Sequence, residues 1–303
     1  AGKWDFVVLE VSSFQLEAPA GLQPAVAAVL NVSPDHLDRH GDMQTYLGLK
    51  LQLLRQLPPE GRAVLNASLL AIPEVAEAIR GRKSISFSTQ PDLQADFVLQ
   101  DAALCRRRQD KLEALFAVGE MQLKGRHNCE NALAVLAMLE AAGLNPQDAA
   151  AGLRSFTSGQ NRLELVGTWN NVTYINDSKA TNVDALCQAL ETCARPGKRC
   201  VVLLAGGMDK GCSLLEARPA LAKHARAALL FGQCRQRLAE SWQGAVPVTV
   251  CEDLETAVAR ADELAQAGDT VLFAPGCASF DMFSDYVQRG QTFIRIVNRR
   301  QRE

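Results

Sequence analysis

The chain has 303 residues, 48% of them apolar and 22% charged, with 21 Gly and 12 Pro, a composition that excludes a disordered, collagenous or coiled-coil protein. The length exceeds what one hydrophobic core fills and predicts two domains. Thirty-two Lys and Arg against 34 Asp and Glu leave a net charge of −2, so no global basic field exists to recruit nucleic acid or anionic lipid, and no apolar run reaches the ~18 residues of a membrane span.

The chain opens AGKWDFVVLEVSS, with no initiator Met or signal segment. It enters an apolar run by residue 5, which suggests a chain whose upstream part is missing. Nine cysteines include no CxxC pair, and with four His they form no zinc-ligand spacing. The expectation is reduced thiols, packed as small hydrophobes in a cytoplasmic protein.

Short β-rich runs alternate with helical patterns, the signature of an α/β fold. Strands are predicted over residues 5–11, 25–31, 62–66, 84–88, 201–205, 227–232, 247–250 and 269–274. Continuous apolar runs such as VVLLA and TVLFAP are what parallel strands buried on both faces look like. Helices are predicted over 43–57, 70–80, 128–142, 146–155, 182–193, 214–224, 234–243, 254–266 and 283–298. Residues 95–123 read as an antiparallel patch appended to the first sheet. A small polar stretch at 155–161 marks a boundary, giving domains 1–160 and 161–303. The second opens on a hairpin turning at Asn170–Asn171 and continues as a Rossmann-like alternation.

Ionisable residues gather after predicted strands, where ligands of open α/β sheets bind. Glu10 closes the first strand, before Ser12 and Ser13. It reads equally as a cation ligand or as a carboxylate capping a turn. The second strand runs into SPDHLDRH, whose His36 and carboxylates suit a hard cation such as Mg²⁺ or simply a charged surface loop. Lys50 falls on the stripe of Met43, Tyr46, Leu47, Leu54 and Leu57, where an ammonium must snorkel, find an anion or be modified. Asn128 and Asn131 share one face near a helix start, fit either for nucleotide recognition or for capping. The segment YINDSKATN puts a cation, hydroxyls, a carboxylate and free backbone N–H groups at a strand-to-helix turn. GGMDKG and PGCASFD follow two further strands. No dinucleotide fingerprint or Walker-type phosphate loop occurs.

In this order, LEVSSFQLE, NVSPDHLDRH, the helix with Lys50, GRHNCENALA, NRLE, NDSKATN, GGMDKG and PGCASFDMFSDYVQRG resemble the Mur ligases of peptidoglycan synthesis, over essentially the whole chain and most closely their D-glutamate-adding branch. The resemblance implies an incomplete central ATPase domain followed by a C-terminal Rossmann-like domain, with the phosphate loop and a UDP-binding domain lying upstream. It implies ATP and two Mg²⁺ ions, UDP-N-acetylmuramoyl-L-alanine and D-glutamate as substrates, and a cytoplasmic monomer. Glu10, His36 and a carbamylated Lys50 match metal ligands, and Ser12 matches the muramoyl contact. Asn128, Asn131, Arg162 and Asp177 match the nucleotide site. Lys179, Thr181, Lys210, Ser279 and Phe280 match the D-glutamate pocket, with Tyr286 a further aromatic; Lys50, His36 and Lys179 carry the catalytic roles. Asn161 departs from the family, which often has His there. The resemblance further implies that the 303 residues alone do not turn over ATP. Folylpolyglutamate synthases share NRLE but lack SSFQLE, and a degenerate, non-catalytic binding module is the reading from another class.

Overall fold

The computed structural model describes residues 5–18, 21–109, 111–211 and 213–302. It divides into two compact units: one gathers residues up to 32 with 39–122 and 126–156, the other 33–38, 123–125 and 157 onward.

The first unit is built on a six-stranded sheet in the order β1 (Val26–Val29), β2 (Arg62–Asn66), β3 (Lys83–Ser88), β4 (Phe97–Gln100), β5 (Ala103–Arg108) and β6 (Lys111–Ala117). The first four run parallel, and β4, β5 and β6 pair antiparallel as the predicted patch. After the single turn α1 (Leu37–His40), α2 (Met43–Arg55) starts at Asp42, whose carboxylate accepts from Thr45 N at 2.7 Å. Leu47, Leu51 and Leu54 of α2 pack on Ala27, Val29, Ala63 and Leu65. The helix α4 (Arg126–Ala141) buries Cys129, Ala132, Leu133, Ala134, Leu136, Ala137 and Ala141 and packs against β2, β3 and β4.

Three expectations are corrected here. Residues 5–11 form no strand: they have no described ladder partner, and Phe6, Val7, Val8 and Leu9 are exposed. A β-segment exists only through its neighbour's hydrogen bonds, and an apolar run alone supplies none. The predicted helix 70–80 is a 3₁₀ turn (Ala67–Ala71) followed by α3 (Pro73–Ala78), because Pro73 has no N–H to continue a helix but suits the first position of a new one. Likewise, 146–155 is a 3₁₀ turn followed by α5 (Ala150–Ser155).

The second unit carries β7 (Glu164–Trp169), β8 (Val172–Asn176), β9 (Val201–Gly206), β10 (Ala225–Phe231), β11 (Val248–Val250) and β12 (Thr270–Phe273), in the spatial order β11-β10-β9-β12-β8-β7. All neighbours are parallel except β7, which joins β8 in a hairpin. Its turn residues Asn170 and Asn171 have φ of 49° and 60°, the left-handed pair that a two-residue hairpin requires and asparagine tolerates. Alternation sends Val201, Leu203 and Ala205 toward α6 (Val183–Cys193), α7 (Arg218–His224) and α8 (Arg235–Trp242). Val202 and Leu204 go to the other face, against α9 (Leu254–Leu264) and α10 (Tyr286–Arg300). That two-sided burial explains why the strands lack polar alternation.

Of the nine cysteines, six are buried and Cys187 and Cys193 half-buried, none of these in a disulfide; Cys212 lies outside the described residues. No described helix is long and apolar enough to cross a membrane.

Leu203 sits mid-strand in β9 with no exposed surface. Leu203→Ala is expected to cost about 2–5 kcal/mol in urea unfolding monitored by far-UV circular dichroism; a loss under about 1 kcal/mol would mean that the core re-closes around the site.

Candidate ligand site at the carboxyl ends of the second sheet

Strand order determines which loops meet. Because β12 inserts between β9 and β8, the segments that follow these three strands leave neighbouring positions on one sheet edge, where parallel sheets take ligands. These are residues 177–182, 207–211 and 274–281. Main-chain bonds tie them together: Gly276 N donates to Ala180 O (2.8 Å), Gly206 N to Pro275 O (2.9 Å), and Met208 and Ala278 exchange two bonds (2.9 and 3.0 Å). Gly207 has φ of 135°, and a Cβ there would lie 2.2 Å from Ala278 O, so this approach admits only glycine.

The first segment carries Lys179, whose Nζ stands 5.3 Å from the Tyr286 ring centroid. Thr181 and Asn182 follow, and Asn182 caps α6 by accepting from Ala185 N. Its amide also donates to Asp35 Oδ2 at 3.0 Å. From the second segment, Lys210 Nζ reaches Asp35 Oδ1 at 2.9 Å. Burial pushes the Asp35 carboxyl up, but Lys210, Asn182 and His36 pull it net below the ordinary aspartate range. A small cleft is lined by Thr181, Asn182, Lys210, Gly276 and Cys277 among others. Ser279 is buried beside it, while Phe280 is 66% exposed. A roomier groove lies along one side of α10, lined by Arg295, Arg299 and Arg302; it belongs to a single helix surface and none of the motif residues faces it.

Asp177 is buried and accepts from Leu163 N at 3.1 Å. Burial raises its carboxyl to about 6, against smaller opposing effects of that N–H and of the exposed Arg162. Asn161 adopts φ of 63°. Its side chain accepts from Asn176 Nδ2 (3.0 Å), its carbonyl from Lys179 N (3.1 Å), and its N–H donates to Glu164 (2.9 Å).

In the first unit, Glu10 is exposed. Ser12 is exposed as well, its hydroxyl and N–H turned toward Gln15 Oε1 (3.0 and 2.8 Å). Lys50 is half-buried: its Nζ donates to Asn31 O at 2.9 Å and lies 4.9 Å from the Tyr46 ring, so the stripe's cation is met by a carbonyl and a π face. Asn128 does not cap α4, which starts two residues earlier at Arg126; it lies half-buried inside the first turn, with Asn131 exposed one turn on. His36, in the second unit, has φ of 54° and donates its N–H to Asp35 Oδ1 (2.9 Å). Among the described residues no three His, Cys, Asp or Glu converge as a metal centre. No step below runs through a metal ion.

Two residues that matter here carried no expectation. Asp35 gave no signal beyond its loop's charge. Arg289 did: it lies in register with Phe293, Ile296 and Val297 on the buried stripe of α10, the same anomaly that singled out Lys50. Its guanidinium has no exposed surface and donates to Ser178 Oγ (3.1 Å), Ser178 O (2.8 Å), Cys277 O (3.0 Å) and Ala278 O (3.1 Å).

Residues 1–139 match the Mur ligase middle domain, and residues 161–277 match the Mur ligase, glutamate ligase domain. The UDP-N-acetylmuramoylalanine–D-glutamate ligases of Alkaliphilus metalliredigens and Solibacter usitatus are 37% and 41% identical over 97% and 96% of this chain. The chain spans 64% of the length of either relative. Among solved structures, MurF from Acinetobacter baumannii superposes with a TM-score of 0.69 at 18% identity, covering 90% of this chain and 60% of that one. Folylpolyglutamate synthase of Mycobacterium tuberculosis, complexed with ADP, gives 0.63 at 19% identity, covering 90% and 63%. At such identities these structures attest the fold alone. With both domain models matched in order and the relatives aligned along nearly its whole length, the chain belongs to the Mur ligase family, of which it carries the middle and glutamate ligase domains.

Proposed function

We propose that this chain forms the nucleotide-handling and amino-acid-binding part of an ATP-dependent ligase that joins D-glutamate to UDP-N-acetylmuramoyl-L-alanine in the cytoplasm. The observation that supports this best is the gathering of Lys179, Thr181, Lys210 and Ser279 on segments that follow three adjacent parallel strands. The curated relatives are named for that reaction.

D-Glutamate presents two carboxylates and an amine. In this reading Lys179 and Lys210 meet the carboxylates as point charges, Thr181 and Ser279 offer hydroxyls, and Phe280 and Tyr286 border the aliphatic chain. Lys210 exchanges part of its pairing with Asp35 for the ligand. Asp177 accepts from a ribose hydroxyl, with Arg162 near the phosphates, Asn128 and Asn131 toward the base, and Ser12 toward the muramoyl substrate. The muramoyl carboxylate attacks the γ-phosphorus of ATP, the bond to ADP breaks, and an acyl phosphate forms. The amine of D-glutamate then adds to the acyl carbon, and collapse of the tetrahedral intermediate expels phosphate while the amine loses its proton. Catalysis by this chain's residues is positioning and charge stabilisation. The resemblance also assigns Glu10, His36 and a carbamylated Lys50 to magnesium; no step is routed through the ion.

Titration calorimetry of the chain with D-glutamate and L-glutamate is expected to find D-selective binding, weakened about tenfold or more in Lys210→Ala, as befits a lost charge-assisted contact. The unfolding midpoint of the variant is measured in parallel. Equal binding of the two enantiomers, or unchanged affinity in a folded variant, contradicts the proposal.

Asp177 generates a second expectation. Its folded pKa of about 6 lies above the usual 3.8. The buried carboxyl therefore adds stability below pH 4 that is lost as pH rises through 6, a cost of about 3 kcal/mol at pH 7. Asp177→Asn should raise neutral-pH stability by up to that amount, with the gain vanishing near pH 4, and should weaken nucleotide binding. A gain independent of pH would show that burial of the charge is not its source.

A further inference from the structure

Cys234 and Cys277 are 43 residues apart in sequence, yet their sulfurs lie 3.1 Å apart. Both are buried, with 4% and 3% of their surface exposed. Neither belongs to the described β-ladders: Cys234 directly precedes α8, and Cys277 sits in the segment after β12. Both backbones are pinned close together, Cys234 N donating to Gly207 O (2.9 Å), and Gly207 lying against Ala278. A disulfide needs a sulfur separation near 2.05 Å, so closure requires a movement of about 1 Å.

We propose that Cys234 and Cys277 form a reversible redox site, oxidised to an intramolecular disulfide by low-molecular-weight disulfides. The thiolate of Cys234 attacks one sulfur of the reagent, forming a mixed disulfide and expelling one thiolate. Cys277 then loses its proton and attacks the Cys234 sulfur, expelling the second. The protein gives up two electrons and two protons, and the reagent disulfide becomes two thiols. Cys234 is the entry sulfur: the S–H of Cys277 hydrogen-bonds to it and holds its thiol below the ordinary range, while the same contact and burial hold Cys277 well above it. Because both sulfurs are covered, the reagent enters through local opening of the segments.

The bond would tie the start of α8 to the segment carrying Ser279 and Phe280. Its effect on amino-acid binding rests on the function proposed above; the bond itself does not, and the two are read separately. The chain is incubated with oxidised glutathione, quenched with N-ethylmaleimide and digested for peptide mapping. The expected result is a Cys234–Cys277 linked peptide, released by dithiothreitol, while Cys105, Cys129 and Cys200 are recovered as alkylated thiols. In Cys277→Ser, glutathione should remain attached to Cys234. Should that variant fail to fold, the wild-type map decides alone. Recovery of both cysteines as alkylated thiols, a lasting glutathione adduct on wild-type Cys234, or preferential linkage of another pair overturns the proposal. D-Glutamate affinity of the oxidised chain is then compared with the reduced chain. A several-fold loss is expected, and unchanged affinity in fully linked protein removes the coupling to the ligand site.

Discussion

The second unit depends on a buried guanidinium held by neutral oxygens. Arg289 is sequestered in α10 and satisfied by four oxygens belonging to Ser178, Cys277 and Ala278. Burial lowers its pKa to about 10, which leaves it charged at neutral pH. Burying such a charge is costly unless every donor finds an acceptor, and here the acceptors lie on two separate segments. The Arg289 charge is therefore satisfied only while the turn after β8 and the turn after β12 hold their places. The Ser178 hydroxyl extends the arrangement by donating to Tyr286 O (2.8 Å), which brings in the first residue of α10.

What this clamp orders is selected by topology. Strand β12 pairs with β8 on one side and β9 on the other, so segments more than 90 residues apart in sequence leave one edge together. Asn161 completes the frame from below: it bonds to Asn176, Glu164 and Lys179, and it lies so close to Gly290 that a Cβ there would be 1.7 Å from its Oδ1. An imidazole would fill that space differently. The position that the resemblance marks as a departure from histidine thus carries a hydrogen-bonded asparagine, and it acts on the ligand site through Lys179's backbone.

Periodicity made most of the second unit legible because its strands are buried on both faces. VVLLA and TVLF cannot be read as amphipathic helices of that length, and Gly206–Gly207 and Pro275–Gly276 punctuate them. The same logic misread residues 5–11, since an apolar run shows what a segment would bury and leaves open whether a neighbour exists to pair with it. Helix starts were misplaced where Pro73 opens a new helix after a 3₁₀ turn, and where α4 begins at Arg126, ahead of Asn128, which had read as a possible cap. In the candidate site, chemistry-bearing residues were visible as clusters after strands. Their pairings were not: that Lys210 meets Asp35 across 175 positions depends on tertiary folding, which no local spacing encodes.

The half-buried Asp35 and the buried Asp177 differ in what surrounds their carboxylates, and the difference assigns them different parts. Asp35 is desolvated but has Lys210 at 2.9 Å and the Asn182 amide at 3.0 Å, so its ionised form prevails. It can act as a permanent anion that holds Lys210 extended toward the cleft. Asp177 accepts from one backbone N–H, and Arg162, whose charge favours its ionised form, is exposed. Water screens that attraction, burial dominates, and the carboxyl sits at about 6. Such a group is under-satisfied when only the protein surrounds it, and it gains from any donor brought into its reach. A ligand hydroxyl is a donor of that kind, so the strain that burial imposes on Asp177 favours occupancy of the site, whereas Asp35 has already spent its acceptor capacity on the protein.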